Sequence, residues 1–244
     1  MKIANRLLQR TLGLRLTRNP PSRNDSFEDE IGLFRLLLER QMATRPIETI
    51  VQIGANDGLA HDPISWLLDC SSAKAVLVEP VPEAFERLTA LRSSRPNTTL
   101  LQAAIADRDG EVEFWTARHQ DPESEGQCSL YSSIDRGFVE RMLKQYSPDA
   151  SAVPVRVAAM TAATLCRNHL SGPIDLLQVD VEGRDAEVVH QFLDAGSQPM
   201  LIHYEHHHLS WEEDLRLLRR FIDTGYRRAR IGIDTLAMRP DAAA

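Results

Sequence analysis

A chain of 244 residues with 43% hydrophobic side chains can bury one large core, whereas two full domains would each be small. The formal net charge of −7 gives nucleic acid no electrostatic footing as an obligate partner. Three cysteines, Cys70, Cys128 and Cys166, are far apart and in no C-x-x-C pair, which argues against a disulfide framework or a cysteine zinc site and fits a reducing, cytoplasmic setting.

Residues 1–24 carry Lys2, Arg6, Arg10, Arg15, Arg18 and Arg23 with no acidic residue, interleaved with Ile3, Leu7, Leu8, Leu12 and Leu16. The arginines interrupt the apolar residues too often for a signal-peptide core, and no run reaches the roughly 18 residues of a membrane span. Two readings stay open for this basic amphipathic arm: peripheral contact with anionic lipid or a partner surface, and packing on its own domain or across a homodimer. Ser26 with Asp29 resembles a capping box for a helix through Phe27, Ile31, Phe34, Leu38 and Met42. The expected organisation is a basic arm and helix over 1–46 and a single domain over 47–240.

The stretch Thr49 to Gly58 runs from β-branched, apolar residues into Gly54, then Ala55, Asn56, Asp57 and Gly58. It reads as a buried strand and a tight turn, and glycine there lets backbone pass close to a ligand. Asp62-Pro63 opens a short helix through Ile64, Leu67 and Leu68. Ala75 to Val78 forms the next strand, ending at Glu79-Pro80, where a carboxylate can accept both hydroxyls of a ribose. Gly54 and Gly58 do not complete G-x-G-x-x-G, and Asp57 puts negative charge where a pyrophosphate would sit. A cationic amino acid end, such as that of S-adenosylmethionine, suits that carboxylate.

Pro82 opens a helix with Phe85, Leu88 and Leu91 on one face. Thr98 to Ala106 reads as a third strand, turning at Asp107 to Gly110 into a hairpin with Glu111 to Trp115. His119 to Ser133 has no period and reads as a mobile loop suited to a lid. Helices over Asp135–Tyr146 and Thr161–His169 flank a short strand at Val153–Val157.

Ile174 to Val181 is nearly continuous in apolar residues, as in a central parallel strand covered on both faces. Asp175 sits at its entrance and Asp180 at its carboxyl end, followed by Glu182-Gly183. A helix through Val188, Val189, Phe192 and Leu193 ends at Gly196, and Met200 to Glu205 is a further strand followed by His206, His207 and His208. Ser210 with Glu213 caps a last helix whose Trp211, Leu215, Leu218 and Ile222 share a face. Tyr226–Ile231 and Thr235–Met238 close the chain as an antiparallel pair. Strands alternating with helices specify a doubly wound, mostly parallel α/β sheet, which binds ligands at the carboxyl ends of its strands. Asn56, Asp57, Glu79, Asp180, Glu205 and His206 should therefore line one edge.

These motifs resemble the FkbM family of S-adenosylmethionine-dependent methyltransferases. Val51 to Gly58 looks like its first motif, Val78-Glu79-Pro80 like its second, Ala103 to Phe114 like its third-strand hairpin, and Asp175 to Gly183 like a family signature. The resemblance spans residues 48–240 and leaves the N-terminal arm outside. Thr161 to Leu165 lacks the family's Leu-Asp-Asp, and the histidine run after Glu205 is denser than usual. The resemblance implies a seven-stranded Rossmann-like class I fold with an N-terminal helical extension. It implies S-adenosylmethionine as cofactor, its methionine portion near Gly54, Asn56, Asp57 and Gly58, its ribose on Glu79 beside Pro80, and its adenine bordered by Ala104 and Ile105. Asp180 would lie beside the amino acid end and the methyl group, and Ser129 would match a serine of the loop.

Methyl transfer is an in-line displacement in which a positioned base activates an alcohol. The expected catalytic set is Asp180, Glu205 and His206, with His203 as a further candidate base. Asp180, Glu182, Glu205 and the histidines could also hold a divalent ion, but His-Tyr-Glu-His-His-His is not H-E-x-x-H, so a metal is not favoured. The expected acceptor is a hydroxyl of a small molecule, glycan or peptide, such as a sugar or other secondary metabolite. Two other classes remain: a nicotinamide-dependent reductase, and a non-catalytic nucleoside-binding module attached to a membrane or assembly.

Overall fold

The computed structural model describes residues 32–119 and 131–239. The chain divides into two units, Met1–Gly32 and Leu33–Ala244, and every element below belongs to the second. The basic arm, the Ser26 cap, most of the expected loop and Ser129 lie outside the described residues.

Helix α1 (Leu33–Met42) belongs with the sheet unit, its Phe34 and Leu38 buried in the core. The main sheet contains β1 (Thr49–Ile53), β2 (Lys74–Val78), β3 (Thr98–Leu101), β7 (Leu176–Val179), β8 (Leu201–Glu205), β9 (Arg227–Ile231) and β10 (Asp234–Met238). Their order is β3-β2-β1-β7-β8-β10-β9. Pairing is parallel from β3 through β8, and β10 is antiparallel to both β8 and β9. The expected seven-stranded sheet and terminal antiparallel pair are both present.

Continuous apolar runs in β1, β2, β7 and β8 are explained by cover on both faces. One face packs Val51, Val76, Leu177 and Tyr204 against α5 (Ala162–His169), α6 (Asp185–Asp194) and α7 (Trp211–Asp223). The other packs Ile50, Leu77, Leu176 and Leu201 against α1, α2 (Ser65–Cys70) and α3 (Pro82–Arg92). At the entrance of β7, Asp175 accepts the backbone N–H groups of Glu48 and Thr49 at 2.9 and 3.0 Å, tying the start of β1 to it.

Three expectations need correction. Thr98 to Ala106 is not one strand: β3 ends at Leu101, and Ala104–Ile105 forms β4 of a second sheet. There β4 pairs in parallel with β6 (Ala150–Met160), and β5 (Gly110–His119) pairs with β6 rather than closing a hairpin on its own predecessor. Ten β5–β6 pairs outweigh what a local turn could offer β4. On α3, Ala84, Leu88 and Arg92 are buried while Leu91 is exposed. On α7, the capping box of Ser210 and Glu213 is present, but the helix is rolled away from the expected face. It buries Asp214, Leu217 and Phe221, leaving Trp211 71% and Ile222 64% exposed. Leu217 and Phe221 join the core on that face, and Asp214 turns inward with them, its carboxylate taking hydrogen bonds from Arg228 at 2.6 Å and Arg230 at 2.7 Å on β9.

Candidate functional site

Between β1 and β7 the strand order reverses, so the loops leaving their carboxyl ends diverge and open a cleft. The cleft and the open solvent at its mouth together hold about 870 Å³ of empty space. Gln52, Gly54, Asn56, Glu79, Pro80, Ala104, Ile105, Asp180 and Glu182 are among the residues on its wall.

Gly54 has φ +79, and a Cβ there would lie 1.7 Å from the carbonyl oxygen of Asp180. The requirement for glycine is thus set by the neighbouring chain: the turn after β1 passes directly against the end of β7. Its N–H bonds Val78 O at 2.9 Å, locking the same turn to β2. Asn56 donates its backbone N–H to Glu79 Oε2 at 2.8 Å, and Val81 donates to Glu79 Oε1 at 2.8 Å. Glu79 is 6% exposed, and burial pushes its carboxyl up to about 7 despite those two bonds. The side-chain oxygen of Asn56 is buried with no hydrogen-bond partner among the described residues.

Asp57 and Gly58 serve the loop instead of lining the cleft. The Asp57 carboxylate accepts the backbone N–H groups of Leu59 and Ala60 at 2.9 and 2.8 Å, an Asx turn. Gly58 has φ +74, a conformation that favours glycine, and a Cβ there would also press Leu88 Cδ1 at 2.7 Å. Its carbonyl oxygen accepts from Ser65 Oγ at 3.0 Å and from the buried Arg92 at 3.2 Å.

Ala104 and Ile105 form an apolar wall with Ala103 and Phe114, which β4 and β5 carry over the cleft. Gln52 and Gln178 stand in register on β1 and β7, are 2% exposed, and each leaves its carbonyl oxygen unpaired. Gln52 donates to Asp62 at 3.1 Å. The reading by motif passed over these three residues, although two glutamines inside apolar strands were the available signal.

Opposite that wall the site is acidic. Burial pushes the Asp180 carboxyl up to about 6, reinforced by Asp62. Glu182 adopts φ +53 beside Gly183 at φ +88, a turn that Ser133 Oγ anchors by donating to the Glu182 carbonyl at 3.0 Å. Burial raises Glu182 to about 10, with Asp180, Glu205 and Asp185 adding repulsion. Glu205 is raised to about 8, by burial first and Asp180 second. Asp185, which sequence reading missed, is 1% exposed and accepts the Glu205 backbone N–H at 3.3 Å.

The histidines separate sharply. His203 stands in register with Gln178 but off the cleft wall, its ring stacked on Phe34 at 3.8 Å and 2% exposed. Burial pushes it down to about 3, so it is neutral and its 3.9 Å approach to Asp234 is not an ion pair. The ring of His206 turns to β10, with Nδ1 3.0 Å from Thr235 Oγ1, and it is not on the cleft wall. The third histidine folds back instead: His208 Nε2 lies 3.7 Å from Glu205 and 4.0 Å from Glu182. The structure therefore gathers Asp180, Glu182, Glu205 and His208, and leaves His203 and His206 outside.

A parallel sheet with one reversed strand inside its edge, and a cleft at the switch point between β1 and β7, defines a class I Rossmann-like methyltransferase fold. The family model described as the methyltransferase FkbM domain matches residues 52–228. This chain belongs to the FkbM family of S-adenosylmethionine-dependent methyltransferases. No curated protein matches it. Among solved structures, the methyltransferase FkbM of Methylobacillus flagellatus KT is 11% identical with a TM-score of 0.47, covering 79% of this chain and 43% of its own. The chain therefore spans less than half of that protein's length. The S-adenosylhomocysteine-bound methyltransferase PaMTH1 of Podospora anserina is 12% identical with a TM-score of 0.46, covering 85% of this chain and 79% of its own. Aeropyrum pernix fibrillarin, solved with S-adenosyl-L-methionine, is 13% identical with a TM-score of 0.40, covering 78% and 65%.

Proposed function

We propose that the cleft binds S-adenosylmethionine and that the enzyme methylates a hydroxyl of a sugar or other secondary metabolite. The observation that carries this reading is Glu79, a buried carboxylate at the end of β2, on the cleft wall beside the switch point. A carboxylate has more acceptor positions than its two backbone bonds use, so it can also accept ribose hydroxyls. The unpaired oxygen of Asn56 offers an acceptor to an amino group, Asp180 supplies negative charge for a cationic end, and Ala104, Ile105 and Phe114 supply an apolar wall for an adenine ring. The residues fit the cofactor. They fit a dinucleotide poorly, because Asp57 already occupies backbone N–H groups of the loop that a pyrophosphate would need.

The bound cofactor supplies an electrophilic methyl group on a sulfonium. The protein's part is to hold the acceptor oxygen about 3 Å from that carbon and opposite the sulfur, which supplies much of the rate. Asp180 gives this side of the site a negative charge that repels phosphorylated or carboxylated acceptors, while the raised carboxyls of Glu182 and Glu205 can donate as well as accept hydrogen bonds with a neutral polyol. Glu205 takes the place nearest the acceptor in this reading, and His206 has no part in it. Calorimetry on the full chain tests the cofactor assignment: S-adenosylhomocysteine should bind and NADH should not. Binding of NADH alone would overturn it in favour of a reductase.

A further inference from the structure

Glu182, Glu205 and His208 come from two loops at the carboxyl edge of the sheet, the turn after β7 and the turn after β8. One carboxylate oxygen from each glutamate and one ring nitrogen of His208 all lie within 4.8 Å of one another. The two His208 separations, 3.7 and 4.0 Å, lie between the about 3.0 Å of adjacent donors and the about 4.2 Å of opposite donors at bond lengths of about 2.1 Å, so a small inward movement of the side chains brings all three atoms onto one cation. Beside them Asp185, 1% exposed, spends one oxygen on the Glu205 backbone and leaves the other without a partner.

The scaffold holds this trio rigidly. Phe138 packs under the Glu182-Gly183 turn, where a Cβ on Gly183 would come within 2.8 Å of its ring, and the same ring meets His208 edge-on at 4.9 Å. His207 lies against His208 at 4.9 Å; Arg141 is held over the Phe138 ring at 6.0 Å, and Arg184, two residues after Glu182, is bound to Glu187 at 2.9 Å. Glu182 also forms part of the cleft wall, so an ion held by the trio borders the space where the acceptor reacts.

We infer that Glu182, Glu205 and His208 bind one divalent first-row cation, with Asp185 supporting Glu205 from behind. Two carboxylates and one imidazole suit manganese better than zinc or copper, which favour more nitrogen and sulfur donors. Three protein ligands leave open positions for water or an acceptor hydroxyl, whose acidity and direction the ion would set. That last role rests on the methyltransferase reading; ion binding itself does not.

The test titrates MnCl2 into the full chain at neutral pH, following paramagnetic resonance of free Mn²⁺ and the melting temperature, and titrates S-adenosylhomocysteine separately by calorimetry. The inference expects one Mn²⁺ per chain and a rise in melting temperature. H208A and E182N should each weaken Mn²⁺ at least about tenfold, and H208A, which is off the cleft wall, should leave S-adenosylhomocysteine affinity within about threefold. Asparagine tolerates the left-handed backbone of position 182, so E182N removes the charge without straining the turn. No binding to the wild type, or binding unchanged in both variants, would overturn the cation site whatever the cofactor result. Loss of S-adenosylhomocysteine binding in the wild type would instead overturn the cofactor reading and leave the Mn²⁺ result standing.

Discussion

Glu79 Oε2 accepts the backbone N–H of Asn56 at 2.8 Å, so the acid at the end of β2 shapes the turn after β1 as well as facing the cleft. The bond joins two residues that sequence reading had assigned to different parts of a ligand. Glu79→Ala should therefore loosen the turn and abolish cofactor binding together. Glu79→Gln keeps one acceptor oxygen, and should retain the fold while losing about tenfold or more in affinity for S-adenosylhomocysteine, read by calorimetry.

The pH dependence of that affinity follows from the raised carboxyl of Glu79, at about 7. Only the ionised form offers all its acceptor positions, so affinity should rise by up to about tenfold between pH 6 and pH 8, and Glu79→Gln should flatten the profile. Stability moves the other way. A carboxyl raised from 4.5 to about 7 contributes stability that is fully present below the unfolded value and is lost as pH rises through the folded value. Thermal melts of wild type and Glu79→Gln between pH 4 and pH 8 check the sign.

Asp57 and Gly58 separate a loop-shaping role from ligand contact. Asp57→Asn preserves the Asx turn and should leave S-adenosylhomocysteine affinity within about threefold. A larger loss would restore the reading in which its charge meets the cofactor. Gly58→Ala should destabilise by about 1–3 kcal/mol, because it combines φ +74 with a Cβ 2.7 Å from Leu88; a shift in melting temperature reads it.

The edge of the sheet offers a stability test independent of the cleft. Asp214 is buried and takes hydrogen bonds from Arg228 and Arg230. Removing it leaves the part-buried Arg228 uncompensated, so Asp214→Ala should cost about 3–5 kcal/mol in denaturant unfolding, with little change in cofactor affinity. His203→Phe is the contrasting case: neither ring nitrogen has a hydrogen bond among the described residues, and a phenyl ring can keep the stack on Phe34. That variant should be neutral or stabilising.

The parallel core was legible because its strands are apolar runs ended by polar residues, and the period of two versus 3.6 survives without any alignment. The second sheet was not. Pairing of β5 with β6 joins segments between which the helix Arg136–Tyr146 lies in the chain, and nothing local in Gly110 to Trp115 distinguishes a distant partner from an adjacent one. On α7 the amphipathic stripe pointed to Trp211 and Ile222, and only the arginines of β9 reveal that Asp214 turns inward. In the site, Gly54, Asn56, Glu79 and Asp180 were found at strand ends, where they do meet. The two glycines were assigned to a ligand, although backbone of Asp180 and side chain of Leu88 are what exclude a Cβ. His206 was expected as a candidate base at the strand end beside Asp180, whereas the chain turns and brings His208, three positions after Glu205, to the Glu205 carboxylate.

A crystal structure of the full chain with S-adenosylhomocysteine tests the account most directly. It should place the ribose hydroxyls on Glu79, the adenine against Ala104, Ile105 and Phe114, and the sulfur facing the side of the cleft formed by Asp180 and Glu182. A ligand whose ribose bonds elsewhere, or whose sulfur faces away from that acidic side, would contradict it.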